Sequence, residues 1–239
     1  MAGLTRKELK QDEFTSTYEA FQDYVREHYR ELIVAAFAAF IVIGALAGWK
    51  VYNRNQEAAA NTLLGTALNS FHAYVGAAAP GALAPGQASF PTANAKYKKA
   101  IDQFSQVVQK YPRQRAAEIA RYHIGICQSE LGDNTAAIKT LQAASAASDL
   151  QIRALSRFAL AGVMVKAGKL NDAVKIYEDL AAHPTTSVPK ATAMLALADA
   201  YRPTQPAEAR RIYERMQKEF ASDSYLADIL KQQMSGLPQ

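Results

Sequence analysis

The stretch IARYHIGICQSELGDNTAAIKTL, residues 119–141, decides the fold because it carries the signature of a helical hairpin. Apolar and small residues recur at three- and four-residue spacing on both sides of Gly132 and Asp133. A glycine at this place can end the first helix in a left-handed conformation, and the aspartate can then cap the second helix. Gly125 and Ala137 are small enough for the two helices to cross closely. The stretch therefore predicts two packed antiparallel helices.

The same pattern recurs along the chain with a nearly constant period. The alanines at positions 100, 137, 173 and 209 stand at intervals of 37, 36 and 36 residues. Four residues after each comes a bulky apolar residue: Phe104, Leu141, Tyr177 and Tyr213. A period of this length indicates an array of helical hairpins.

Two of the units match the tetratricopeptide pattern at further positions. In residues 119–141 the matching residues are Gly125, Gly132, Ala137 and Leu141. In ALAGVMVKAGKLNDAVKIYEDL, residues 159–180, they are Ala161, Gly168, Ala173 and Tyr177, and Asn171 is expected to cap the second helix. The resemblance implies an all-α fold, a tetratricopeptide-like α-solenoid of about four helical hairpins.

The ends of the array, which we place at residues 53–239, depart from this pattern. YKKAIDQFSQVVQKYP, residues 97–112, supplies a second helix, and its partner is expected over residues 57–75. Between them, residues 76–94 are rich in Gly, Ala and Pro, which predicts a flexible insertion. In the last unit Thr204, between two prolines, replaces the turn glycine.

An apolar run lies before the array. The 18 residues from Leu32 to Trp49 are uncharged, which fits a transmembrane helix over residues 32–52. A cleavable signal is an alternative, since residues 45–47 read Ala-Leu-Ala, but the 31-residue leader with seven acidic and five basic residues is unlike a signal leader. A buried core helix is a further alternative, although such runs are rarely uncharged on every face.

Residues 1–31 form a leader that we interpret as cytoplasmic. Ser16 and Glu19 make a capping box, which predicts an amphipathic helix next to the membrane from residue 16. The leader holds five basic residues, whereas residues 53–95 hold only Arg54, so the positive-inside rule favours a cytoplasmic N-terminus. Within a few residues of the membrane the basic residues are balanced on the two sides.

Small residues occupy one end of the apolar run. Gly44 and Gly48 form a GxxxG motif, which lets a second membrane helix approach closely. Small residues are also common in single spans, so contact with lipid alone is the alternative.

The order of these segments resembles that of the YfgM-type family, the ancillary subunits of the SecYEG translocon. The resemblance rests on a short leader, a span that ends in GWKVYNRNQEAAA (residues 48–60), and the repeat positions given above. It implies a single-pass protein of the bacterial inner membrane whose repeats face the periplasm. It also implies protein partners: the translocon, periplasmic chaperones or emerging substrates. A structural accessory subunit of another inner-membrane complex is the alternative function.

Partners of tetratricopeptide arrays usually lie against the first helix of each hairpin. The corresponding partner-binding residues here are Tyr122, Ser129, Phe158, Lys166, Met194 and Tyr201, within a mostly apolar row. Such a row suits extended polypeptide, if the groove is open. Closure of the superhelix, or occupation by residues 76–94, is the competing possibility.

Other classes of function have little support in the sequence. The four histidines and the single Cys127 form no catalytic, metal-binding or phosphate-binding motif, so we expect no enzyme activity, no cofactor and no small-molecule substrate. Cys127 lies among apolar neighbours and is expected to be an inert packed thiol. Basic residues cluster in sequence near the first repeat, at Lys96, Lys98, Lys99, Lys110, Arg113 and Arg115, and fit an anionic surface or a solvated face. No motif indicates nucleic-acid binding.

Overall fold

The computed structural model describes the backbone of residues 6–76 and 87–237, with side chains from residue 24 onward in those ranges. Over this described part the chain is almost entirely helical, which confirms the all-α fold. The helices are α1 (Arg6–Phe71), α2 (Ala93–Lys110), α3 (Arg115–Glu130), α4 (Asn134–Ala144), α5 (Leu150–Lys166), α6 (Leu170–Ala182), α7 (Lys190–Tyr201), α8 (Pro206–Glu219) and α9 (Ser224–Ser235), and the strands are β1 (Tyr74–Val75) and β2 (Ser89–Phe90). The chain divides into two compact units, an N-terminal unit, Met1–Asn55, and a repeat unit, Gln56–Gln239.

The apolar run forms the exposed part of α1. Between Tyr24 and Phe71 the helix contains an 18-residue window with a mean hydropathy of 2.5, none of which is buried. Phe37 and Phe40 are 67% and 74% exposed. By length and composition this helix can cross a membrane. The alternative of a buried core helix is wrong, because none of this apolar stretch is buried among the residues that the structure describes.

The first part of α1 differs from the expectation for the leader. The helix begins at Arg6, so Ser16 lies inside it and does not cap its N-terminus. The side chains of Ser16 and Glu19 lie outside the described residues. Regular helical geometry is interrupted at His28 (φ −109°, ψ 15°), whose Nδ1 lies 3.2 Å from the carbonyl oxygen of Tyr24.

The described residues of the repeat unit form four helical hairpins, as expected. The end of α1 packs against α2 in one hydrophobic cluster, and the pairs α3/α4, α5/α6 and α7/α8 follow, each helix from α2 to α8 packing against the next. In the first hairpin the Phe71 ring lies 6.1 Å from Tyr97 and 6.3 Å from Phe104. The last helix, α9, packs on α8 and ends the described array.

The turns within two hairpins follow the sequence pattern. Gly132 (φ +83°) and Gly168 (φ +74°) adopt the left-handed conformation that favours glycine. Asp133 caps α4, because its Oδ1 accepts a hydrogen bond from Ala136 N at 2.9 Å. Asn171 is not a cap, contrary to expectation. The helix α6 already begins at Leu170, directly after Lys169, so Asn171 falls in its first turn.

The small and large repeat residues occupy the expected places in the core. All four repeat alanines, at positions 100, 137, 173 and 209, are 0% exposed. Three of the bulky residues that follow them, Phe104, Leu141 and Tyr213, are also 0% exposed, and Tyr177 is 4% exposed. Close helix packing at the alanines leaves the space that the larger side chains fill.

The connection between α1 and α2 is more ordered at its ends than expected. The helix α1 ends at Phe71, and β1 and β2 pair in parallel, with Tyr74 N donating to Ala88 O at 3.0 Å and Gly76 N to Phe90 O at 2.9 Å. The helix α2 starts at Ala93, where Thr92 caps it. The proposed insertion at 76–94 therefore includes β2 and the start of α2, and its residues 77–86 lie outside the described part.

Candidate functional site

The six residues predicted to contact partners lie on α3, α5 and α7, but they do not form one exposed row. Met194 is 0% exposed and belongs to the main core. Its placement on a surface groove is wrong, because α7 packs against α5, α6 and α8 and buries most of its apolar side chains. The other five residues keep some exposure and divide into three groups.

Ser129 and Lys166 meet at the ends of α3 and α5. Lys166 Nζ lies 3.4 Å from Ser129 Oγ, to which it donates a hydrogen bond, and 3.9 Å from Glu130 Oε1. The Lys166 side chain is 57% exposed. The fold thus brings together two of the predicted residues, 37 residues apart in sequence, and their contact with a partner stays a prediction.

Tyr122 and Phe158 are half-buried and pack against the main core. The Phe158 ring stands edge-on to Tyr177, with ring centroids 5.5 Å apart. Burial raises the pKa of the Tyr122 phenol. Because both rings contribute to packing, only part of each is available to a partner.

Tyr201, at the end of α7, reaches an open cleft between α6 and α8. The cleft has a volume of about 800 Å³. Its floor is formed by side chains of α7 and α8, Leu197, Tyr201 and Ile212, and its rim includes Ala181, Ala182 and Pro184. Charged side chains line the walls: Glu178, Lys190, Glu208, Arg211, Arg215 and Glu219. We call this feature the α6–α8 cleft.

Four of these six charged residues pair with one another. Lys190 Nζ forms an ion pair with Glu219 at one end of the cleft, and Arg211 Nη1 lies 2.7 Å from Glu208 Oε1. Glu178 and Arg215 form no ion pair or hydrogen bond with any residue that the structure describes. The walls of the cleft therefore carry one free negative charge and one free positive charge.

The hydroxyl of Tyr201 adds a polar group to the floor. Its pKa is raised, first by burial and then by the negative charges of Glu178 and Glu208. The phenol is consequently neutral at physiological pH, so its hydroxyl can donate a hydrogen bond.

A second group of interest surrounds His123 in the first hairpin. The imidazole stacks on Phe104 with centroids 5.1 Å apart and meets Phe71 edge-on at 4.9 Å. Burial, with the nearby His72, lowers the pKa of His123 to about 4. Its Nδ1 atom is buried with no hydrogen-bond partner in the described chain. This is a packed neutral ring rather than a ligand, and the described residues contain no group of three or more His, Cys, Asp or Glu that can hold a metal.

Cys127 lies near this ring cluster and is fully buried. Burial raises the pKa of its thiol to about 12. The expectation of an unreactive packed thiol agrees with both properties, since the thiolate is the reactive form.

The basic residues near the first repeat do not form one surface. Lys96, Lys98 and Lys99 lie in the first turns of α2, whereas the others lie at its far end or beyond, and 18 helical residues cover about 27 Å. Lys96 Nζ lies 4.8 Å from the Tyr97 ring centroid, and Arg115 Nε lies 2.7 Å from Asp149 Oδ2. Their apparent cluster is a feature of the sequence and not of the fold.

Gly44 and Gly48 lie on α1 with open space beside them. A Cβ atom built at either position meets nothing within 4 Å. This face of the helix is therefore free to contact another helix or lipid.

Sequence reasoning missed Glu178 and Arg215. Both are exposed charged residues on second helices, which a search of the first-helix positions passes over. Only the packing of α6, α7 and α8 brings them to the same cleft, and no spacing signal in the sequence marks it.

Comparison with known families identifies the family to which this architecture belongs. A family model described as a tetratricopeptide repeat-like domain matches residues 25–237, a range that includes the apolar run as well as the repeats. Neither the curated proteins nor the solved structures contain a match to the chain. Since the matched range covers most of the 239 residues, the chain belongs to the tetratricopeptide repeat-like domain family.

Proposed function

We propose that this protein is a membrane-anchored adaptor whose repeat unit binds other proteins at or after their translocation. Tetratricopeptide-like domains are protein-interaction modules, and that general role follows from the family. The observation that carries the proposal is the exposed apolar stretch of α1, 0% buried, in the same chain as a folded repeat array. An exposed helix of this kind is stable in a bilayer and costly in water.

The localisation that we propose is the bacterial inner membrane, with residues 1–31 in the cytoplasm and the array in the periplasm. The basic residues of the leader support this orientation. The resemblance to YfgM-type proteins in segment order supports the SecYEG translocon and periplasmic chaperones as partners.

Purification of the tagged full chain in mild detergent tests this function. We expect the chain to stay in membranes after an alkaline wash and to bring down translocon components or periplasmic chaperones, identified by mass spectrometry. Release by the alkaline wash contradicts the anchor. Recovery of an unrelated membrane complex instead contradicts the translocation role.

A charge reversal tests the Ser129–Lys166 surface as a contact point. Lys166→Glu places a negative charge beside Glu130, which repels it and alters the polar surface. Because the original ion pair is exposed, the expected loss of stability is at most about 1 kcal/mol. We expect less partner to be recovered with Lys166→Glu, but not with the control Lys175→Glu on the exposed face of α6. Equal recovery with both variants excludes this surface.

An accessory subunit held through its span is the second candidate, and the open space beside Gly44 and Gly48 favours it. Small residues let membrane helices approach closely. We expect Gly44→Leu with Gly48→Leu to abolish association with a membrane complex if the span makes the contact. The matched control is Ala35→Leu with Ala39→Leu, because at about 100° per residue those positions lie on the opposite face. Full association of the glycine variant assigns the contact to the repeat unit.

A further inference from the structure

The α6–α8 cleft shares only Tyr201 with the six predicted partner-binding residues, and it adds charged side chains from the second helices α6 and α8. The helices α6 and α8 are the second helices of consecutive hairpins, and α7 lies between them and supplies the floor. A volume of about 800 Å³ is that of a ligand-sized pocket. The cleft is open to solvent and mixes an apolar floor with charged walls.

The two unpaired charges line the same cleft from different helices, Glu178 from α6 and Arg215 from α8. Because α7 runs antiparallel to both neighbours, α6 and α8 run in the same direction. Glu178 lies four residues before the end of α6, and Arg215 lies four residues before the end of α8, so they stand at the same level. They are nevertheless more than 4 Å apart, since no ion pair joins them.

These charges determine what the cleft can hold. A purely acidic segment gains a contact with Arg215 but is repelled by Glu178, and a purely basic segment has the opposite difficulty. In an extended polypeptide, adjacent side chains point in opposite directions. A strand lying along the cleft therefore presents one residue to α8 and the next to α6.

We propose that the α6–α8 cleft binds an extended segment of a partner polypeptide in which an acidic and a basic residue are adjacent. The acidic side chain pairs with Arg215 and the basic one with Glu178. The apolar stem of the basic side chain covers Leu197 and Ile212, and the Tyr201 hydroxyl donates to a main-chain carbonyl of the segment. This inference rests on the proposed function, in which the repeat unit binds proteins, and it assigns a site and a class of sequence to that binding.

Synthetic decapeptides of Gly, Ser and Leu with a variable central pair test the proposal. The probes carry Asp-Lys, Asp-Asp, Lys-Lys or Ser-Ser, and binding to the full chain in detergent is measured by fluorescence anisotropy. We expect the Asp-Lys peptide to bind up to about fivefold more tightly than the other three, because an exposed ion pair contributes at most about 1 kcal/mol. No binding, or equal binding of all four peptides, overturns the proposal.

Charge-reversal variants make the test specific to this cleft. Arg215→Glu makes both walls acidic, so this variant should bind the Lys-Lys peptide most tightly. Glu178→Lys makes both walls basic, so this variant should bind the Asp-Asp peptide most tightly. The double variant Arg215→Glu with Glu178→Lys should again prefer Asp-Lys. Lys218→Glu, also exposed on α8 but outside the cleft, should leave the preference unchanged. A preference that does not follow these substitutions overturns the proposal.

The same variants separate this proposal from the adaptor function. If the peptide preference is absent while protein partners still purify with both the unaltered chain and Arg215→Glu, the cleft is not the contact and the adaptor function stands. If the preference follows the charges but no protein purifies with the unaltered chain, the cleft proposal stands and the adaptor function fails.

Discussion

Gly125 of α3 lies so close to Leu141 of α4 that a Cβ atom at Gly125 would be only 2.5 Å from Leu141 Cγ. This contact marks the point at which the two helices of a hairpin cross. No ordinary side chain fits there unless the leucine moves, and Leu141 is 0% exposed. The glycine and the leucine are therefore matched in size.

The close approach predicts that Gly125→Ala destabilises the protein. The added methyl group overpacks the crossing, which costs about 1–3 kcal/mol and exceeds the gain of at most about 1 kcal/mol from better helix propensity. Urea unfolding of the full chain in detergent, followed by circular dichroism, measures the difference. Gly65→Ala is the matched control, because a Cβ atom there meets nothing within 4 Å and the same propensity gain should stabilise α1. Equal stabilisation by both substitutions contradicts the crossing at Gly125.

A buried hydroxyl contributes to the last hairpin. Tyr213 is 0% exposed, and its hydroxyl donates to Asp199 Oδ1 at 2.8 Å. We expect Tyr213→Phe to lower the free energy of unfolding by about 1 kcal/mol, since the ring remains packed while the hydrogen bond is lost. Tyr225→Phe should change nothing measurable, because Tyr225 is 77% exposed. Similar effects of the two substitutions in the same unfolding experiment speak against a stabilising hydrogen bond.

The buried imidazole of His123 predicts a pH dependence of stability. The pKa of His123 is lowered from 6.5 to about 4 in the folded protein. Between these two pH values His123 binds more protons in the unfolded chain than in the folded protein. The stability that its neutral ring contributes is therefore complete above pH 6.5 and is lost as the pH falls toward 4. The expected loss is about 1–3 kcal/mol, because partial exposure of the ring weakens the effect.

Unfolding at a series of pH values separates this effect from other groups. His123→Phe keeps a ring in the cluster and should remove the dependence between pH 6.5 and 4. His183→Gln alters a histidine whose side chain is 79% exposed and should preserve it. If the pH dependence of stability persists in His123→Phe, another residue causes it. The lowered pKa values of Glu118, Asp149 and Asp179 affect stability at lower pH, as those carboxylates become protonated.

The proposed orientation predicts the behaviour of terminal fusions. A reporter that is active only in the periplasm should be active when fused after Gln239 and inactive when fused at Ala2, since the leader as a whole holds five basic residues and residues 53–95 hold only Arg54. Activity is measured in intact cells, and protein levels of the two fusions are compared by immunoblot. The reverse pattern contradicts both the orientation and the translocation role.

The sequence by itself determined the hairpins and their turns. Gly132 and Gly168 have no side chain, so they adopt the left-handed conformation at little cost. Their places in the repeat therefore predicted the ends of α3 and α5. The alanines of the repeat predict helix crossings because they recur at a nearly constant interval of 36 or 37 residues. The apolar run also predicts an exposed helix, since its length and lack of charge are properties of one continuous segment.

Only the tertiary structure decided which faces of the helices remain accessible. Met194 and Tyr201 lie on the same helix at similar-looking positions, yet the first is in the core and the second reaches the α6–α8 cleft. Burial depends on the neighbouring hairpins, whose relative positions follow from packing between side chains far apart in sequence. For the same reason Glu178 and Arg215, 37 residues apart, come to line one cleft through the packing of three helices and not through any pattern of the residues between them.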